Sequence, residues 1–78
     1  MTKKAGLEGI EGVKRYLKAE LKRADITYEE LANRLKKAGL DETTVSVTNK
    51  LSRGTFPATF FVAAAKAIGL EEIRLKDL

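Results

Sequence analysis

The sequence contains no cysteine and no histidine. The first absence excludes disulfides and thiolate metal sites, which suits a reducing compartment. The second removes the commonest general base and the commonest zinc ligand. No group of carboxylates at ligand spacing stands in for them. No nucleophile–base pair, metal centre or cofactor site is therefore assignable, and an enzyme is not expected. Nor does any apolar run approach the ~20 residues that cross a bilayer. The opening Met1-Thr2-Lys3-Lys4 lacks the apolar stretch of a secretory signal. The expectation is a cytoplasmic protein with no membrane, metal or cofactor partner.

What is present is a globular composition, with 44% hydrophobic residues in a chain of 78. A chain of this size forms one domain and buries roughly 60% of its unfolded surface, so a single modest core is expected. The net charge is +4 and unevenly placed: residues 1–40 hold ten Lys/Arg against six acids, and residues 41–78 hold five of each. A small basic domain favours a polyanionic partner, with solubility alone as the alternative reading.

Residues 1–8 show no periodicity and read as a mobile arm, leaving residues 9–78 as the folded domain. Val13, Leu17, Leu21 and Ala24 then recur at amphipathic spacing, which predicts a helix from about Ile10 to Ala24. Thr27-Tyr28-Glu29-Glu30 predicts the start of a second helix as a capping box, with Ile26 and Leu31 as its hydrophobic staple. Gly39 marks its exit. A third helix is expected after Asp41 or Thr43, either of which can cap it, and before Gly54. Its Thr and Val content favours a strand locally, but Val47 and Leu51 lie four apart with a polar stripe opposite. Pro57, at the tolerated first position behind Thr55 or Phe56, opens a fourth helix that Gly69 ends. Phe56, Phe60 and Phe61 read as core. Residues 70–78 fit either a short fifth helix or an alternating strand. Their Ile73, Leu75 and Leu78 either cap the core or form a self-association surface.

The order of these parts carries the functional signal. With Val47 and Leu51 facing the core, Ser46, Asn49, Lys50 and Arg53 are expected on the outward side of the third helix. An amide there can pair bidentately with adenine, and the cations suit guanine or phosphate. Thr43 and Thr44, at the helix start, are further candidates for base contact. On the first helix Lys14, Lys18 and Lys22 recur every four residues beside Arg15, a like-charge ridge suited to phosphate.

Ile26-Thr27-Tyr28-Glu29-Glu30-Leu31-Ala32-Asn33-Arg34-Leu35, Lys50-Leu51-Ser52-Arg53-Gly54 and Ala63-Ala64-Ala65-Lys66-Ala67-Ile68-Gly69-Leu70 together resemble the lambda-repressor-like (Cro/C1-type) helix-turn-helix family. The stretch Asn49 to Phe56 looks most like a group of short, uncharacterised bacterial and phage domains of that type. The resemblance covers about residues 13–70. It implies an all-α, compact four- to five-helix domain whose helix-turn-helix runs from about Thr27 to Gly54. It further implies sequence-specific double-stranded DNA binding by a small bacterial or phage transcriptional regulator, commonly a two-fold homodimer. Thr27 and Tyr28 resemble the family's phosphate-contacting position at a helix N-terminus, with simple packing as the alternative for Tyr28. The chain departs from the family at residues 36–42, which exceed the usual tight turn. Either the second helix is a turn longer or the third starts early. A protein-interaction module, adaptor or antitoxin-like, on the same scaffold is the rival expectation.

Overall fold

Leu17 and Leu21, one turn apart, are both buried, and the helix that carries them, α1 (Ala5–Arg23), is the first of four among the described residues. The computed structural model describes the backbone of residues 5–78 and the side chains from residue 11 onward. The arm expected over residues 1–8 falls partly outside the described residues, and its described part, residues 5–8, continues α1. Ala24, assigned to the apolar stripe, lies past the helix end and is exposed. After α1 come α2 (Tyr28–Lys37), α3 (Thr44–Arg53), α4 (Ala58–Ile68) and one 3-10 turn at Leu75–Asp77. Among the described residues there is no strand, so the strand alternative for the tail is not realised. No described helix is long and apolar enough to cross a membrane.

The helix ends follow local chemistry. Asp25 closes α1 in the left-handed region at φ 59°. The Ile26 N–H then returns to the Leu21 carbonyl at 2.9 Å and the Asp25 N–H to Lys22 at 3.1 Å, the Schellman pattern with Asp in the usual glycine place. Gly39 closes α2 in the same way, with Leu40 N–H donating to the Leu35 carbonyl at 2.9 Å. Leu40 is thereby folded back, half-buried against the core. The lengthened connection is thus neither an extra turn of α2 nor an early α3. Residues 38–43 form the link: a Schellman turn, then a tight bend in which the Glu42 N–H donates to the Leu40 carbonyl at 3.0 Å, then Thr43 in extended conformation.

The Thr27 hydroxyl accepts from the Glu30 N–H at 3.1 Å as the sequence predicts. The reciprocal half of that box is missing, because the Glu30 carboxylate instead accepts from Arg34 Nε at 2.9 Å. The complete capping box lies one helix later, between Thr43 and Ser46. At α4 the cap residue is Pro57 itself, one position later than expected, with no side-chain cap bond.

α2 packs on both α3 and α4, and α1 on α4 and α3. Their buried faces meet in one cluster of Leu17, Leu21, Leu31, Leu35, Val47, Leu51 and Phe60 with smaller neighbours. Fully burying each such side chain contributes about 1.5–3 kcal/mol, which overrides the poor helix propensity of the Val- and Thr-rich α3. Phe60 is the buried aromatic of the three, while Phe56 and Phe61 are half-buried against it and the core. Arg34 adds a polar tie between helices, Nη1 donating to the Ala67 carbonyl near the end of α4 at 2.8 Å.

Candidate nucleic-acid interface

α3 is anchored along one side by Val47 and Leu51, both fully buried. Asn49 stands diametrically opposite that line on the helix, flanked by Val45, Ser52 and Arg53, all four exposed. Thr48, half-buried, borders this face, its hydroxyl donating to the Thr44 carbonyl at 2.7 Å. Thr44, expected as a base contact, is exposed at the helix start but lies in line with Leu51, seven residues on, on the side away from Asn49. The first turn of α3 contains no acid, whereas Asp41 is exposed shortly before it.

Two residues expected on the outward side are turned to a flank instead. Ser46 is half-buried and closes the cap: its Oγ accepts from the Thr43 N–H at 2.8 Å, and its N–H donates to Thr43 Oγ1 at 3.1 Å. The Ser46 hydroxyl also donates to Glu42 Oε1 at 2.6 Å. Lys50 reaches the same carboxylate, with Nζ 3.0 and 2.9 Å from its two oxygens. The Lys50 ammonium also lies 5.2 Å from the centre of the Phe60 ring, a cation–π contact. The physical reason is Glu42, a buried acid that the stripe reading left out. Burial alone pushes its carboxyl upward. The hydrogen bonds from Lys50 and Ser46, with the Lys50 charge, outweigh burial and hold it below the usual carboxylate range. The charge of Glu42 is thus spent within the fold rather than displayed beside α3.

Thr43, expected as a base contact, is exposed but its hydroxyl is the N-cap of α3. Thr27 serves the same role at α2. Tyr28 is half-buried and packed against the core cluster.

The basic ridge of α1 divides. Lys14 crosses to α3, its Nζ donating to the Ser52 carbonyl at 3.3 Å. A cation there offsets the negative end of the α3 dipole. Its stem lies over Gly54, which ends α3 at φ 79°. Lys18 and Lys22 are exposed on following turns. Arg15 is exposed and lines a cleft with Tyr16, Glu20, Arg23 and Asp77, in which Glu20 pairs with Arg23 at 2.9 Å. The structure therefore brings together Val45, Asn49, Ser52 and Arg53 with Lys14 at one end of the face. It sets Ser46, Lys50, Thr43, Thr27 and Tyr28 to structural tasks.

Val45, Ser52 and Glu42 were missed by sequence reasoning. A signal for Glu42 exists in the sequence: Glu42, Ser46 and Lys50 recur at four-residue spacing, which aligns acid, hydroxyl and amine on one flank. Among the described residues no group of three or more acids is placed to hold a metal ion.

Residues 11–73 match a family described as a domain of unknown function (DUF6471). No curated protein matches the chain, and no solved structure does.

Proposed function

We propose that this chain, which belongs to the DUF6471 family, binds double-stranded DNA in the manner of a lambda-repressor-like helix-turn-helix and acts as a small bacterial or phage transcriptional regulator. The observation that carries the reading is the outward face of α3. Asn49 stands opposite the buried line, with Arg53 one turn on and no acid in the helix. An amide and a guanidinium in this position suit adenine and guanine edges in a major groove about 12 Å wide. Lys18 and Lys22, exposed on α1, would add phosphate contacts, which supply most of the affinity and its salt dependence.

Titration into random-sequence duplex at low and at moderate salt tests this directly. The reading expects non-specific binding that falls steeply with salt, and it fails if nothing binds at low salt. Selection of sites from a random duplex library then tests specificity. Paired half-sites in the selected sequences would indicate a homodimer on DNA.

One observation favours a second reading as a protein-interaction module. Ala38, Leu40, Ala58, Val62 and Ala63 line an open groove of roughly 590 Å³ between α2 and α4, with Arg34 and Lys66 at its rim. The absence of duplex binding at low salt is the result that would favour it.

A further inference from the structure

Val45 is 68% exposed at the start of α3 and lies outside the core cluster. A branched side chain at an exposed helix position loses rotamer freedom and gains no burial in exchange. Neither helix propensity nor packing therefore accounts for a valine here. Its neighbours on the face do suggest a use. Asn49 lies one turn further along the same side. The adjoining Thr48 has its hydroxyl committed to the Thr44 carbonyl.

We infer that Val45 reads the C5 methyl group of a thymine, so that the recognised duplex carries an A·T pair at that position. The inference rests on the DNA-binding reading above and deepens it by naming the base. Thymine is the base that shows a methyl in the major groove, and apolar side chains are what contact it. A hydroxyl or amide at position 45 would be desolvated against that methyl without a partner. The spacing fits a neighbouring polar readout. Four residues of helix advance about 6 Å, and base pairs stack every 3.4 Å or so, placing Val45 and Asn49 roughly two base-pair steps apart when the helix follows the groove. Asn49, free to pair with an adenine N6 and N7, then reads a second A·T pair beside the first.

The test begins with the best duplex from a random-library selection. Each thymine is replaced in turn by deoxyuridine, which removes the methyl and leaves every hydrogen-bonding group in place. The full chain should lose affinity about fourfold at one thymine per bound copy, the worth of one buried methyl group. Val45→Ala should bind the thymine and uracil duplexes equally, while Asn49→Ala, though weaker, should still prefer thymine. Because Val45 is exposed, Val45→Ala keeps its core, and an unchanged helical circular dichroism spectrum checks this. Equal binding of every uracil duplex by the parent chain overturns the inference. So does a Val45→Ala variant that retains the thymine preference. Failure of the parent chain to bind any duplex at low salt overturns the DNA-binding reading itself, and this inference with it.

Discussion

Lys50 reaches back two helical turns to Glu42, its Nζ 3.0 and 2.9 Å from the two carboxylate oxygens. The pair joins the middle of α3 to the link that precedes it. Both partners are largely withdrawn from water, with side-chain exposures of 23% and 10%. Removing one partner of a pair withdrawn in this way strands the other charge. Lys50→Met is therefore expected to cost about 3 kcal/mol in urea denaturation. The double variant with Glu42→Gln should cost less than the two single changes added together.

The same pair fixes an acid response. The folded-state pKa of Glu42 is lowered from 4.5, so the carboxylate contributes stability that is fully present above 4.5. That contribution is lost as pH falls through the lower folded value. Stability measured between neutral pH and about pH 3 should fall less steeply in Glu42→Gln than in the parent chain. The gap between the two proteins should narrow below 4.5. Parallel acid limbs in the two proteins would contradict the role given to Glu42.

Two serines on α3 should separate fold from recognition. Ser46→Ala removes bonds to the Thr43 N–H and to Glu42, and is expected to cost about 1–2 kcal/mol. Ser52→Ala sits on the outward face, where Ala is the better helix former. It should leave thermal stability equal or higher and, on the proposed function, alter duplex binding alone.

Gly54 is held in place from another helix. Ala at φ 79° is strained, and its Cβ would stand 3.1 Å from the Lys14 side chain. Gly54→Ala should destabilise by about 1–2 kcal/mol. Lys14→Ala removes a cation near the helix end, with its bond to the Ser52 carbonyl and the stem over Gly54, and should cost about 0.3–1 kcal/mol. Thermal melts of the two variants test the order.

On DNA, Asn49→Ala should cost roughly 1–3 kcal/mol on the best site and relax preference at one base pair. Lys18→Ala should weaken all sequences about equally and lower the salt slope by about one. Competition binding at several salt concentrations distinguishes the two. An Asn49→Ala variant with unchanged affinity and preference would show that the reading face lies elsewhere.

The four helices were legible because their signals are local: the Leu17–Leu21 stripe, the Thr27 cap, and Gly39, Gly54 and Gly69 at helix ends. The rotation of α3 was not. Val47 and Leu51 define its buried line, but a line alone allows the polar stripe to be drawn a few tens of degrees to either side. The position of Glu42 decides between them, since a buried acid must find partners and takes Ser46 and Lys50. That burial follows the turn at Gly39 that folds Leu40 back, a feature of the link with no signature in α3 itself. The tail ambiguity has a similar origin. Ile73-Arg74-Leu75-Lys76 alternates as a strand does, yet among the described residues no strand is present to pair with it.

The Schellman turn at Gly39 has one more consequence. It sends the chain back over the core before α3 begins, and Thr43, Ser46, Glu42 and Lys50 then lock the helix from its flank. Among the described residues, the side chains of Val45, Asn49, Ser52 and Arg53 take part in none of these bonds. The outward face is thus a replaceable cassette: on the proposed function, exchanging its four side chains changes what is read without touching the bonds that hold α3 to the fold.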